Sequence, residues 1–317
     1  MNIVPSAKPR VLLADDHTAF LESVSRLLAG AFDVVALAGD GRQALDLAGR
    51  FRPEVVVLDV AMPGLNGFQT LKQLRREGVE AKVVFLTMHR DDELVAAAIN
   101  EGADGWVLKS RAHLDLIRAI DHALSRRVFV PSLSSLSTVA GNRHAVQFHA
   151  NDSHFLDNVS QLVGATLRSG QQIVIIASEA TRMGVAQRLQ ARRMDLTMLE
   201  ERRQYIAQDS ALALSQVMQD GRPDKGRLAE IVNGLDRLRL AAETAPRSRL
   251  TIFGEMSGSL YRNGEFEAAL ELERIWNELT RPMPFLTICS YPINCFSQSG
   301  APNQLASVCA EHGVVTS

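Results

Sequence analysis

The chain has little of several things whose presence would settle its class at once. Its 317 residues include three cysteines, Cys289, Cys295 and Cys309, an odd number placed late and without C-x-x-C spacing. A disulfide framework and a paired-thiol zinc or redox motif are thereby excluded, and the thiols are expected to be reduced and mostly buried. Neither charge is in surplus. A formal net charge of −2 gives no global field to draw the chain to nucleic acid or to an anionic membrane. No apolar run approaches the roughly 20 residues that span a bilayer, and the opening MNIVPSAKPRVLLADD lacks the apolar core of a signal peptide. A cytosolic protein with no membrane partner is expected.

What is present is the composition of folded domains. Hydrophobic residues at 46% and charged residues at 22% are the balance of a globular protein, and the length suits about two domains. Up to residue 126, short β-branched runs alternate with amphipathic ones, which predicts a parallel sheet wrapped by helices. Strands are expected at 10–14, 33–38, 55–58, 82–86 and 105–108. Helices are expected near 18–29, 41–50, 67–77, 92–101 and 112–126, with Gly30, Gly78 and Gly102 at helix ends where left-handed backbone is often needed. RRVFVPSLSSLSTVAGNRH then loses any period and reads as a connector over 127–143. A second alternation follows, with strands near 145–148, 172–177, 204–208, 249–253 and 285–289. Its helices are expected near 153–168, 181–193, 210–219, 226–244, 264–280 and 302–312. The expected domains are 9–126 and 144–312, and neither repeats the other.

In an open α/β sheet, function lies beyond the carboxyl ends of the strands. In the first half those ends are polar: Asp15 and Asp16 close the first strand, Asp59 the third, Thr87 the fourth and Lys109 the fifth. Any one of these acids could be a solvated loop residue or a helix cap. Together, three carboxylates on one edge repel unless a cation joins them, and hard oxygen donors suit Mg²⁺. A carboxylate beside Mg²⁺ can attack phosphorus while a lysine and a hydroxyl stabilise the phosphoryl oxygens.

This set, with VVVLDVAMPGLNG around Asp59 and LTMHRDDELVAAAINEGADGWVLKS after it, closely resembles the receiver domain of bacterial response regulators, most of all the NarL/FixJ branch. The resemblance implies a flavodoxin-like (β/α)5 fold over 9–126. It implies that Asp15, Asp16, Asp59 and the backbone carbonyl of Ala61 hold Mg²⁺, that Asp59 is the phosphoacceptor, and that Thr87 and Lys109 bind the phosphate. Trp106 stands where the family usually has Tyr or Phe, a ring that turns inward on activation; otherwise it is simply a packed strand aromatic. Ser110 stands where many members carry proline. A sensor histidine kinase or a phosphotransfer protein is the implied partner. A receiver homodimer is also implied, with Asp91, Arg111, Arg118 and Asp121 on the pairing face.

Receivers of this branch usually precede a helix-turn-helix, yet after residue 144 neither a compact three-helix pattern nor a basic recognition helix appears. Direct DNA binding is not expected. FLDNVSQLVGATLRSGQQIVIIASEATRMGVAQRLQ resembles the core of RecA/KaiC-type ATPases, but NDSHF replaces the G-x-x-x-x-G-K-[ST] loop that would cradle phosphates. With HAVQFH, LTIFGEMSGSLY and TICSYPINCF, residues 144–312 resemble the MEDS family, named for a methanogen/methylotroph DcmR sensory domain. That implies a second α/β, RecA-like three-layer domain without a working P-loop, binding a small molecule or a protein. His144, Glu255 and Tyr291 are expected to line one polar pocket; alternatively, Glu255 caps a helix and His144 is a satisfied core residue. His144, His149 and His154, five apart, suit neither one helix face nor one strand face, so a metal site among them is not expected. The function expected is phosphorelay signalling rather than enzymatic turnover. The alternative is a transcriptional regulator acting on DNA directly or through a DNA-binding partner.

Overall fold

The computed structural model describes residues 8–89, 91–137, 139, 143–150, 152–241, 249–296 and 301–316. Parts of the expected connector (138 and 140–142) and of the helix expected to reach 244 (242–244) lie outside the described residues, as do residues 1–7. The chain divides into two compact units, Met1–Pro131 and Ser132–Ser317.

The first unit runs β1 (Arg10–Ala14), α1 (Thr18–Leu28), β2 (Asp33–Ala38), α2 (Gly41–Phe51), β3 (Val55–Leu58) and α3 (Gly67–Arg76). It continues through β4 (Lys82–Thr87), α4 (Asp92–Asn100), β5 (Gly105–Leu108), α5 (Ala112–Leu124) and β6 (Val128–Val130). The strands lie in the order β2-β1-β3-β4-β5-β6, all parallel. Central strands covered on both faces read as unbroken apolar runs. All four residues of β3 are buried, and Val83, Val84 and Phe85 of β4 have no exposure. On α5, Leu116, Ala119, Ile120 and Ala123 form a buried stripe at helical spacing. Each large apolar side chain so buried contributes roughly 1.5–3 kcal/mol. Helix starts are fixed locally: Asp40 accepts from Gln43 N before α2, and Asn66 and Gln69 form a capping box on α3. Gly78 and Gly102 are left-handed as expected; Gly30 is not among the positive-φ glycines.

The second unit runs β7 (Arg143–His149), α6 (Asp152–Arg168), β8 (Gln172–Ala177), α7 (Glu179–Ala191), α8 (Leu196–Glu201), β9 (Tyr205–Asp209) and α9 (Ser210–Val217). A two-residue hairpin follows, β10 (Met218–Gln219) and β11 (Arg222–Pro223). Then come α10 (Lys225–Ala241), β12 (Leu250–Gly254), α11 (Met256–Arg262), α12 (Phe266–Thr280), β13 (Phe285–Pro292), α13 (Ala301–Ala310) and β14 (Val314–Thr316). Its main strands lie in the order β14-β7-β13-β12-β8-β9, again parallel. Helix α12 packs inward through Ala269, Leu272, Trp276 and Thr280, with Glu273 inside the same stripe.

Several elements differ from expectation. The connector 127–143 contains β6 and a short 3-10 turn at Ser134–Leu136; Val128-Phe129-Val130 is too short a run for its period to be counted. The short helices α8 and α11 and the closing strand β14 were not anticipated. Helix α11 opens MSGSL, a poor helix former on propensity. Close packing holds it: a Cβ on Gly258 would lie 2.1 Å from the Ser290 carbonyl oxygen.

Candidate functional site

In the first unit, β1 and β3 are neighbours, with Ala14 opposite Leu58. The residues that follow them, Asp15 and Asp59, therefore leave the sheet side by side and are 2% and 4% exposed. Lys109, just beyond β5, reaches between them: its Nζ lies 2.6 Å from Asp15 Oδ2 and 3.0 Å from Asp59 Oδ2. Burial alone would push the Lys109 pKa down; the two carboxylates outweigh it and hold the amine above its ordinary value. The ammonium also sits 5.0 Å from the centre of the Phe20 ring.

Two buried carboxylates share one ammonium, and Asp16 adds a third at the exposed rim, where its Oδ1 meets His17 Nδ1 at 2.7 Å. Asp15, Asp16 and His17 offer donor atoms within 4.8 Å of one another. The set is oxygen-rich, anionic in excess of its lysine and open to water at one side, which fits a hard divalent cation. Ala61 lies two residues past Asp59 on the exposed β3–α3 loop. That loop is tightly seated: a Cβ on Gly67 would lie 2.3 Å from the Asp59 carbonyl oxygen.

Thr87 ends β4 with no exposure, and its Oγ1 accepts from His89 N at 3.3 Å. Trp106, on β5 opposite Phe85, is also fully buried. Its ring centre lies 5.4 Å from that of Phe85 and 6.4 Å from that of Phe68, and its Nε1 donates to the His89 carbonyl at 3.3 Å. His89 is thus tied on one side to Thr87 and on the other to Trp106. The expected pairing-face charges are partly engaged within the unit. Arg111 Nε lies 2.6 Å from Asp115, Arg118 lies 3.7 Å from it, and Asp91 caps α4 through Glu93 N.

In the second unit, the three residues expected to share one pocket are divided. Glu255, just past β12, accepts from Ser178 N at 2.8 Å and from Thr181 Oγ1 at 2.6 Å, and so braces the start of α7. It borders a cavity of 310 Å³ with His149, Ser178, Thr181 and Arg262 among its walls. A larger hollow of 710 Å³ shares His149 and Arg262. Neither cavity is lined by His144 or Tyr291. Those two meet Glu273 instead: Tyr291 donates its hydroxyl to Oε1 at 2.6 Å, and His144 Nε2 lies 3.2 Å from Oε2. The physical reason is register. His144 enters β7 opposite Thr287, on the stretch of β13 that leads to Tyr291, whereas Glu255 leaves β12 at the sheet edge. The sequence reading missed Glu273, whose signal was an acid inside an apolar helical stripe. His149 stacks on Phe155, 4.0 Å between ring centres, away from His144.

Two family models match separate stretches of the chain. A model of the response regulator receiver domain matches residues 11–121. A model of MEDS, the methanogen/methylotroph DcmR sensory domain, matches residues 143–312, just over half of the chain. The chain is 32% identical over 189 residues to the nitrate/nitrite response regulator protein NarL of Escherichia coli K12, covering 59% of this chain and 81% of that protein. It is 42% identical over 120 residues to NarP of the same organism, covering 37% of this chain and 56% of that protein. Among solved structures, a two-component response regulator of the LuxR family from Aurantimonas sp. SI85-9A1 aligns at 31% identity and TM-score 0.37, over 38% of this chain and 89% of that one. No helix among the described residues is long and apolar enough to cross a membrane.

Proposed function

Because the chain belongs to the response regulators through its receiver domain and to the MEDS family through its second unit, we propose that it accepts a phosphoryl group on Asp59 and relays that event to a ligand- or protein-binding output domain. The division we propose is a receiver over 9–126, a connector over 127–143 and the output domain over 144–312. The observation that carries the reading is the convergence of Asp15 and Asp59 on Lys109 at the ends of adjacent strands.

The donor is a phosphohistidine of a sensor kinase or phosphotransfer protein. An Asp59 carboxylate oxygen attacks phosphorus, an O–P bond forms, the P–N bond breaks, and the released imidazole nitrogen takes a proton. Asp15, Asp16, Asp59 and the Ala61 carbonyl would hold Mg²⁺, which supplies charge neutralisation on the phosphoryl oxygens. Lys109 exchanges one carboxylate partner for a phosphoryl oxygen, and Thr87 donates its hydroxyl to another. As Thr87 turns to phosphate, it lets go of His89 N, and the His89 carbonyl held by Trp106 moves with the loop. Since the indole is already inside, the loop rather than the ring is the moving part in this reading.

Support for the output reading is the crevice beyond β12, where Glu255, His149 and Arg262 line space large enough for a small molecule. The parallel sheet of the second unit also supports a RecA-like sandwich, with the sequence NDSHF standing where a G-x-x-x-x-G-K-[ST] loop would follow β7. Receiver pairing through α4, β5 and α5 would give a homodimer. A second reading, regulation of transcription by direct contact with DNA or through a DNA-binding partner, is favoured by the name of a relative alone, the probable transcriptional regulatory protein NarL of Mycobacterium tuberculosis, 36% identical over 129 residues.

The test is hydrogen exchange with Mg²⁺ and acetyl phosphate, beside Asp59→Asn. Protection near Thr87 and Trp106 that extends past residue 144 in wild type only is the expected result. No change in wild type would remove the phosphorylation reading. DNA affinity that rises on phosphorylation and falls with salt would favour the second.

A further inference from the structure

Four side chains of three chemical kinds meet inside the second unit, outside the walls of the two cavities described above, and none is used by the function proposed above. They come from three elements and one connection: His144 is in β7, Glu273 lies in the inward stripe of α12, Cys289 is in β13, and His312 lies between α13 and β14. His144, Glu273 and His312 are 9%, 1% and 1% exposed. We infer that they form a closed site for one divalent transition-metal ion of the zinc class, with His144 Nε2, His312 Nε2, Glu273 Oε2 and Cys289 Sγ as its four donors.

Distances carry the first part of the case. Nε2 of His144 lies 3.2 Å from Cys289 Sγ and 3.2 Å from Glu273 Oε2; that oxygen is 3.5 Å from Cys289 Sγ and 3.6 Å from His312 Nε2. All four donors lie within 4.8 Å of one another. Metal bonds of 2.0–2.3 Å in a tetrahedron put donors about 3.3–3.8 Å apart. Four of the six donor pairs therefore already stand at or within about 0.1 Å of the spacing a four-coordinate ion would set, and the other two lie within 4.8 Å. Two imidazoles, a thiol and one carboxylate oxygen are a borderline-soft set that suits zinc and its neighbours and not Mg²⁺.

The second part is where the protons are. Asn277 gives its Nδ2 to the Glu311 carbonyl at 2.8 Å, so its Oδ1 faces His144 and takes the Nδ1 proton at 2.7 Å. His312 Nδ1 likewise donates to the Val308 carbonyl at 2.7 Å. Each ring has turned its Nδ1–H outward, which leaves Nε2 of each ring as the nitrogen that faces the Glu273 carboxylate. His312 Nε2 has no hydrogen-bond partner among the described residues. Tyr291 engages the other carboxylate oxygen, leaving Oε2 for the cluster. Backbone carbonyl, amide and phenol partners behind three of the four donors are the usual outer support of a metal site. One divalent cation would engage all four donors at once, and Zn²⁺ with one carboxylate and one thiolate makes the group neutral. Binding breaks the Cys289 S–H bond, forms a metal–sulfur bond and releases the proton to solvent.

Cobalt tests this on the full-length protein, stripped with a chelator and held in excess Mg²⁺ so that the oxygen-rich site of the first unit stays out of the measurement. One Co²⁺ per chain, with the strong visible bands of a four-coordinate ion and a thiolate charge-transfer band, is expected, and Zn²⁺ should bleach both. Cys289→Ser should lose the charge-transfer band, and His312→Gln should weaken binding by about 100-fold or more. Wild type that takes up no cobalt in this form would overturn the site, a result that needs no variant to fold. So would spectra and affinity unchanged in both folded variants, since the ion would then sit elsewhere.

Discussion

The first unit gathers its charged residues at an open sheet edge, and the second gathers them in the interior between sheet and helices. At the edge, Asp15 and Asp59 are buried against one lysine while Asp16 stays at the water. That arrangement holds excess negative charge ready for a ligand, and it costs stability to hold. In the interior, every polar group of the Glu273 cluster is backed by a partner except the nitrogen that faces the centre. A crevice is built to be entered, whereas a closed cluster is built to hold its elements in place.

Substitutions separate the two. The largest effect expected is loss of acetyl phosphate labelling in Asp59→Asn, by more than about 100-fold in rate because the nucleophile is gone, with Tm unchanged or raised. Residual labelling at the wild-type rate would place the phosphoacceptor elsewhere. Glu273→Ala should act in the opposite sense, leaving labelling intact while costing about 3–5 kcal/mol, the penalty for breaking a buried charged network; urea denaturation of the two proteins measures it. A loss below about 1 kcal/mol would break the contrast, since surface substitutions fall in that range.

Close approach gives the next step down. Gly258→Ala and Gly67→Ala each drive a methyl group onto a backbone oxygen, at 2.1 Å from Ser290 and 2.3 Å from Asp59. Each should cost about 1–3 kcal/mol, but only Gly67→Ala should also slow labelling, because it displaces the Asp59 loop. Equal labelling in both variants would show that the loop has slack. Trp106→Phe removes the bond to the His89 carbonyl and should cost about 1 kcal/mol. Its clearer readout is faster exchange at the amide of His89.

The last effect appears only in acid. Burial, then Arg127 and Arg118, pushes the His122 pKa down to about 4. Because the unfolded chain binds this proton more readily than the folded one, stability is full above about pH 6.5 and declines as pH falls towards 4. His122→Phe should flatten that decline in the first unit; a slope equal to wild type would assign it to another group.

Legibility followed the same division. That Asp15, Asp59 and Lys109 meet was readable because each sits at the end of an apolar run, and a parallel sheet aligns such ends whatever the details of packing. Which of two strands lie side by side mattered little there. In the second unit it mattered most. His144 was grouped with Glu255 since both border strands, but β13 lies between β7 and β12, and Glu273 arrives from a helix whose stripe was counted only for its apolar members. Cys289 and His312 lie 145 and 168 positions from His144 in the sequence, a separation no spacing rule covers. The short elements β6, α8, α11 and β14 escaped because their runs are too brief to show a period, and tertiary packing, as at Gly258, supplies what propensity does not.

The chain has two tryptophans, one in each unit, and both are buried with their indole N–H engaged. Trp106 donates to the backbone at His89, and Trp276 donates to Thr287 Oγ1 at 3.0 Å, three positions along α12 from Glu273. The protein therefore carries two native fluorophores that report different events. Emission from Trp106, isolated in Trp276→Phe, should follow the β4–α4 loop. Emission from Trp276, isolated in Trp106→Phe, should be quenched when a paramagnetic ion such as Co²⁺ enters beside it. Light emitted by one unlabelled chain can thus be resolved into a signal from its surface chemistry and a signal from its interior.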